Sequence, residues 1–393
     1  MLTPEFVDFS TQEYDRRTSM LRTLMKAEGL DAVLVTTEAN HRFITGHVSH
    51  RWLHRYTAIF ALVPLNGAPV LVVPPLEAGM CRHDSWVEDI RVYPSTRLEA
   101  GVATLTEVIR EKGLDRGRIG AELGGVLYMR MPTEDFARLR RNLPDAVFVD
   151  AAPVLWKARF RKSPAELDRI REAVSITDRA YGALFSSVAP GTTEREIHRL
   201  LAMEQLRMGA DTPGSITVAS HDPAALQPHD HSHRRPTDRP LAPGDLVIID
   251  AGCVVRGYWS DYTRMFAMKR TPETCRDAYR AIHRSMTAAI DAAKPGVPIA
   301  DMVRAASASL GASGYAEQAR RMSNIGHASG LDIIEPPFIA LEDPTILEEG
   351  MVLTVEPAMV TETGFYMIEE DVVITAAGRE VLSAPAPEEL PVI

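Results

Sequence analysis

The stretch LVIIDAGCVVRGYWSDYTRMF, residues 246–266, sets two aspartates, Asp250 and Asp261, eleven positions apart across a turn. Its first part, Leu246 to Ile249, is a short apolar run of strand type that ends in a carboxylate. Its second part, Tyr258 to Phe266, is rich in aromatic and β-branched residues, and Gly257 supplies the turn. Paired as a hairpin, the two runs bring Asp250 and Asp261 together near the base of the pair. Two ionised carboxylates that close repel unless a cation or a shared proton lies between them. On this stretch alone, exposed turn acids and a cation site are both open.

Three downstream stretches weigh in the same direction. NIGHASGLDIIEPP (324–337) offers His327 directly after a glycine, where the backbone can be approached closely. MVLTVEPAM (351–359) is a β-branched strand ending in Glu356 and stopped by Pro357. FYMIEEDVVIT (365–375) is a further strand carrying Glu369 and Glu370. An acid within an apolar strand is costly unless something compensates it. With Asp250, Asp261, His327, Glu356 and one of Glu369 or Glu370, the chain supplies four carboxylates and one imidazole. That charge of −4 is what two divalent cations neutralise. Oxygen-dominated ligation with one nitrogen suits Mn, Co, Fe or Zn, and no thiolate forces zinc. Two such ions roughly 3.5–4 Å apart bridge a hydroxide and clamp a scissile carbonyl. Strand period puts Glu369, Asp371 and Val373 on one face and Glu370 and Val372 on the other, without saying which face meets the metals.

The rest of the chain frames these stretches. At 393 residues it can form two domains, each with its own core. Hydrophobic content of 45% and charged content of 24% belong to a soluble globular protein, and a net charge of −10 excludes a polyanion surface. The N-terminus has no secretory signal and no apolar run reaches membrane length, so no membrane or nucleic-acid partner is expected. Three scattered cysteines, Cys81, Cys253 and Cys275, with no CxxC fit a reducing cytoplasmic setting.

Up to about residue 160, a capped helix (Ser10 with Glu13) precedes strand-like runs at 32–36, 59–64 and 69–74. These alternate with helical stretches at 98–113 and 132–143, the pattern of an α/β domain. Between them, HRFITGHVSHRWLHRY (41–56) carries four histidines, and its plain reading is a solvated polar loop. From Ser163, which caps a helix with Pro164 and Glu166, long helices at 165–184, 193–208, 273–293 and 298–312 interleave with hairpin-linked strands. The overall class is therefore α+β, with domains at 1–160 and 161–393. His198 and His283, within helices, read as packing or surface residues.

PGDLVIIDAG, GYWSDYTR, GH followed by a glycine and EPP, then VEP and IEEDVVIT resemble, in order, the ligand stretches of the pita-bread metallopeptidase family. That family includes methionine aminopeptidases, aminopeptidase P and prolidases. The N-terminal part is similar to that of the creatinase and prolidase branch, so the resemblance covers nearly the whole chain. It implies a creatinase-like N-terminal domain, a pita-bread catalytic domain and a dinuclear hydrolase that cleaves a C–N bond with a metal-bound hydroxide, as an Xaa-Pro dipeptidase does. It also implies that Asp250 chelates one metal, Asp261 and Glu369 bridge, and His327 and Glu356 hold the other. Glu369 is thereby selected over Glu370. Glu356 would shuttle the proton to the leaving nitrogen, and His233, in SHRRPTDR, would hydrogen-bond the substrate.

The resemblance further implies a homodimer in which one subunit's N-terminal domain leans over its partner's active site. His50, Trp52, His54 and Arg55 then become substrate-binding residues. Tyr258 and Trp259 would wall the cleft or serve equally well as core. The substrate expected is a dipeptide or another small molecule. Two positions depart from the family pattern. Ile334 stands where its peptidases carry a second histidine, and Met367 where an arginine often precedes the last ligand. Losing an oxyanion donor commonly costs about 10²–10³ in rate. These departures favour an alternative, a small amide as in ectoine hydrolase or a metal-dependent lyase of the same fold. A non-enzymatic binding role is disfavoured by the five intact ligands, and so is the metal-free mechanism of creatinase.

Overall fold

Short runs of β-branched and other apolar residues bounded by turns make the strands of the N-terminal part, as their composition requires. The computed structural model describes residues 8–54, 58–94, 97–226 and 234–393, apart from the side chain of Leu98. It divides into two units, Met1–Arg159 and Phe160–Ile393. The strands of the first are β1 (Ala32–Val35), β2 (Phe60–Pro64), β3 (Val70–Val73), β4 (Asp89–Val92), β5 (Arg118–Ala121) and β6 (Val147–Asp150). They form one sheet in the order β4-β3-β2-β1-β5-β6. The β1–β2 and β2–β3 pairs are antiparallel, whereas β3–β4, β1–β5 and β5–β6 are parallel. Helices α1 (Thr11–Ala27), α2 (Glu38–Thr45), α3 (Ala78–Asp84), α4 (Leu98–Glu111), α5 (Thr133–Asn142) and α6 (Ala152–Phe160) accompany it. Leu34, Phe60, Leu62, Val72, Leu105 and Ile119 are fully buried within one core cluster.

The described part of the stretch 41–56, residues 41–54, is not a solvated loop. Residues 41–45 belong to α2, and a single 3-10 turn follows at His50–Leu53. His41 and His47 are completely buried. His47 Nδ1 lies 2.7 Å from Asp84 Oδ1 and Nε2 lies 3.1 Å from Glu77 Oε2. A carboxylate can only accept, so both ring nitrogens carry protons and the ring is an imidazolium. Burial works against that charge, but hydrogen bonds to Asp84, Cys81 and Glu77 hold its pKa up to about 11. Arg51 Nε donates to the other Glu77 oxygen at 2.6 Å, and Val48 N–H donates to Asp84 at 3.2 Å. The partners sit some thirty or more residues downstream, which is why the local sequence reads as solvated.

The second unit opens with α7 (Pro164–Phe185) and α8 (Glu194–Arg207), each starting in a complete capping box, Ser163 with Glu166 and Thr193 with Glu196. A first sheet contains β7 (Thr212–His221), β8 (Leu246–Val255), β9 (Tyr258–Trp259) and β10 (Tyr262–Ala267), in the order β10-β8-β7 with β9 on β8. Helices α9 (Glu273–Ala292), α10 (Ala300–Ala312) and α11 (Ala316–Arg321) follow. A second sheet, β12-β11-β13-β16-β17, is built from β11 (Asn324–Ala328), β12 (Glu335–Ala340), β13 (Val352–Val355), β16 (Glu370–Thr375) and β17 (Gly378–Val381). The hairpin of β14 (Ala358–Thr361) and β15 (Gly364–Met367) stands beside it. Strand pairing within both sheets and the hairpin is antiparallel, so the α+β class holds. Apolar residues of α9 and α10, among them Ile282, Met286 and Val303, pack in one core cluster with Leu353, Val355 and Val372 of the second sheet.

Removing the buried His47 cation takes it from Asp84 and leaves Glu77 to Arg51, and breaking such a buried pair costs about 3–5 kcal/mol. H47L is expected to lose stability of that order in urea denaturation near neutral pH. Because the folded pKa is raised, the His47 contribution is complete below the ordinary imidazole value of 6.5 and is lost as pH rises through about 11. The gap between wild type and H47L should therefore narrow on the alkaline side.

Candidate metal centre

β8 does not stop at the carboxylate. It runs through Asp250 to Val255, and the chain reverses at Arg256 and Gly257, both at positive φ. Thr263, not Asp261, therefore stands opposite Asp250 in the ladder. Asp261 falls in the break between β9 and β10. That break exists because Gly252 meets the Ser260 carbonyl so closely that a Cβ would overlap it. The Asp261 N–H leaves the β8 ladder and donates to Asp371 Oδ2 at 3.0 Å.

The second sheet supplies the other donors. His327 lies on β11 opposite Thr354 of β13, after Gly326, whose φ is +139° and whose added Cβ would strike the Thr354 carbonyl. Glu356 follows β13, its N–H bonded to the Ile325 carbonyl at 2.8 Å. Glu369 directly precedes β16, and Thr263 Oγ1 donates to its Oε2 at 2.8 Å. Ligand atoms of Asp261, His327 and Glu369 lie within 4.8 Å of one another. His327 Nε2 is 3.8 Å from Asp261 Oδ2 and 3.6 Å from Glu356 Oε1.

Glu370 faces away, as strand period requires. It receives Arg264 Nη2 at 2.9 Å, the Ala386 N–H at 2.7 Å and the Ser383 hydroxyl. The choice left open by periodicity is thus resolved by packing: Glu369 turns to the cluster and Glu370 to a buried arginine.

The electrostatics test whether these residues fit a cation. Burial first, then Asp250, Asp371 and Glu356, push the Asp261 carboxyl well above its usual range. Burial, then Asp261, Glu356 and Asp250, do the same to Glu369. Burial lowers His327, against the smaller pull of its bond to the Ala328 carbonyl. That carbonyl is 3.0 Å from Nδ1 and only accepts, so Nδ1 carries the proton and the Nε2 lone pair faces carboxylate oxygens. Lone pair against lone pair at 3.6 and 3.8 Å is no hydrogen bond. Two donors each about 2.1 Å from one ion lie roughly 3–4 Å apart. The donor set and its spacing fit a divalent cation, with Asp261, His327 and Glu369 the buried core of the site.

Other expected residues fare differently. His50 is exposed, His54 is partly buried, and their rings meet edge to face at 5.9 Å. Trp52 is buried, packed edge-on against His41 with the Arg130 guanidinium over its ring. Arg55 and His233 lie outside the described residues. Tyr258 is 1% exposed and its hydroxyl donates to Glu166 at 2.8 Å, which fits the core alternative of the two left open for it. His198 and His283 bond backbone carbonyls, as packing residues do. Ile334 is half exposed and Met367 is buried in the apolar core. Sequence reading missed Asp371, Thr263 and Arg264 as supports of the ligands. Only the shared face of Glu369 and Asp371 could have signalled the first.

A two-sheet unit with this cluster, in a chain that also has a separate N-terminal unit, points to the class of metal-dependent enzymes. The comparisons narrow it. The pattern of Metallopeptidase family M24 matches residues 168–376, and that of the Creatinase/Prolidase N-terminal domain matches residues 17–161. The chain belongs to metallopeptidase family M24, in the creatinase and prolidase branch. The Xaa-Pro dipeptidase of Pyrococcus horikoshii is 26% identical over 368 residues, covering 91% of this chain and 94% of that one. The crystal structure of dipeptidase PepE from Mycobacterium ulcerans superposes with a TM-score of 0.80 at 26% identity, covering 98% of this chain and 99% of its own. The prolidase from Pyrococcus horikoshii gives 0.80 at 25% identity, over 95% and 100%. Among the described residues no helix is long and apolar enough to cross a membrane.

Raised carboxyl pKa values mean that the folded, metal-stripped protein holds protons the unfolded chain releases above about pH 4, so those groups lose stability as pH rises. Metal binding needs the same groups deprotonated and His327 neutral. The thermal stabilisation given by Mn²⁺ to chelator-stripped protein should therefore widen from about pH 5 to about pH 8. A constant difference in Tm across that range would contradict it.

Proposed function

We propose that the protein is a dinuclear metallopeptidase that hydrolyses the C–N bond of an Xaa-Pro dipeptide. The observation that carries this reading is His327, whose Nε2 lies 3.8 Å from Asp261 Oδ2 and 3.6 Å from Glu356 Oε1 in a cluster that also holds Glu369. The Xaa-Pro class follows the similarity to the Xaa-Pro dipeptidase of Pyrococcus horikoshii over nearly its whole length. Asp250 would hold one cation, Asp261 and Glu369 would be shared, and His327 with Glu356 would hold the other. Two cations there, when bound, supply an activated water and polarise the scissile carbonyl. Glu356, the least buried carboxylate paired with His327, is placed to accept a proton at its Oε1 and return it to the leaving nitrogen. Thr263 keeps one Glu369 oxygen occupied by its hydroxyl, which fixes how that carboxylate presents the other.

His50, Trp52 and His54 are proposed as substrate contacts across a homodimer, with Arg55 and His233 in the roles the resemblance implies. Three free, buried thiols are in keeping with a cytoplasmic setting. A second reading, a small non-peptide amide or a lyase reaction, is favoured by the apolar Ile334 and Met367.

The deciding experiment is a panel of Xaa-Pro dipeptides given to chelator-stripped protein reloaded with Mn²⁺, Co²⁺, Fe²⁺ or Zn²⁺. Metal-dependent turnover, lost in D261N and E369Q, is expected. I334H should raise the rate at least about tenfold by restoring an oxyanion donor. No turnover from protein that binds two ions per chain would shift the assignment to the second reading.

A further inference from the structure

Asp371 is an acid with no place in the proposed ligand set, yet it is fully buried at the junction of the two sheets. It lies on β16 two residues after Glu369 and on the same face. His327, Thr354 and Asp371 form one row across β11, β13 and β16, since His327 pairs with Thr354 and Thr354 with Asp371. Thr354 Oγ1 donates to Asp371 Oδ1 at 3.1 Å, and the Asp261 N–H donates to Asp371 Oδ2 at 3.0 Å. One carboxylate thus ends the His327 row and grips the backbone of Asp261, which belongs to the other sheet. Asp371 is itself fixed from behind, its N–H on Ser383 Oγ at 3.2 Å and its carbonyl accepting from Leu382 at 2.8 Å.

We infer that Asp371 is a positioning residue that sets the separation of Asp261 from His327 and Glu369, and with it the spacing of the two metal sites. The ladder pairs Tyr262 with Ala251 and Trp259 with Val254 on either side, but the Asp261 N–H itself donates to Asp371 and not to β8. Thr263 and Arg264, which bind Glu369 through its side chain and carbonyl, tie the sheets at Glu369 but leave Asp261 to Asp371 alone among the described hydrogen bonds. The inference rests on the dinuclear reading. It assigns Asp371 no contact with metal or substrate.

The test is a Mn²⁺ titration of the full chain followed by calorimetry and by electron paramagnetic resonance, which reports magnetic coupling between neighbouring ions. D371L is expected to bind Mn²⁺ about 10–100-fold more weakly and to lose the coupled signal. D371N should stay near wild type, since its amide oxygen still accepts from Asp261 and Thr354 can turn to accept from its amide. T354V, which keeps the shape and removes one bond, should shift affinity and coupling in the D371L direction by a smaller amount, and it decides the matter if D371L does not fold. Wild-type affinity and coupling in both D371L and T354V would overturn the inference and leave the dinuclear reading intact. D371N behaving like D371L would also overturn it, because charge and not position would then be the cause. Wild-type protein that takes up fewer than two ions would overturn the dinuclear reading and the inference with it.

Discussion

Carboxylates held close together out of water repel, and the second unit is arranged around that repulsion. Two like charges about 4 Å apart at an effective dielectric constant near 20 cost about 4 kcal/mol. Net stabilities of whole domains are only about 5–15 kcal/mol. Asp261, Glu369 and Glu356 facing His327 Nε2 cannot all be ionised in such a place without a counter-ion. Burial raises the carboxyls of Asp261 and Glu369 and lowers the His327 imidazole, and repulsion among the acids adds to the first. A cation turns the repulsion into ligation, so the part of the structure that costs most in its absence is the part that binds it.

Holding such a cluster requires two sheets to approach where neither can lend the other a ladder. Gly252 and Gly326 make room for it, each at a point where a Cβ would overlap a backbone carbonyl. The gap is then closed by side chains that reach from one sheet to the other: Thr263 to Glu369, Arg264 to the Glu369 carbonyl and to Glu370, and Asp371 to the Asp261 N–H. Arg264 is buried, and the opposed carboxylate Glu370 is the reason it can be. The neighbouring glutamates therefore divide the labour, one presented to the cluster and one neutralising the cation that supports it.

What the chain discloses in advance follows the range of the interaction that decides each feature. The capping box at Ser163 is local and forms as read, and a second forms at Thr193. Acids ending apolar strands are legible because an uncompensated charge there is costly, and Asp261, His327 and Glu369 do come together. The partner of Asp250 in the ladder is not legible, since the length of β8 depends on its pairing with β7 and β10. Neither is the burial of His47, which depends on Glu77 and Asp84. Polar residues look solvated until their distant counter-charges are placed.

The same reasoning bears on Ile334. The loop that carries it is rigidly held: Trp259 N–H bonds the Gly330 carbonyl at 2.9 Å, Asp332 N–H bonds Glu335, and Lys162 Nζ meets Glu335 at 3.1 Å. Lys162 and Glu335 are both buried, and a Cβ on Gly330 would press into both side chains. Ile334 directly precedes this anchor and is half exposed; by the resemblance it would stand where the peptidases carry a histidine, and the difference would be one of side-chain chemistry. Whatever transition-state charge a histidine there would meet must here be met by the remaining groups of the site, or must be smaller for the substrate this protein takes. That requirement separates a peptide bond, which develops a full oxyanion, from a reaction that asks less of a protein donor.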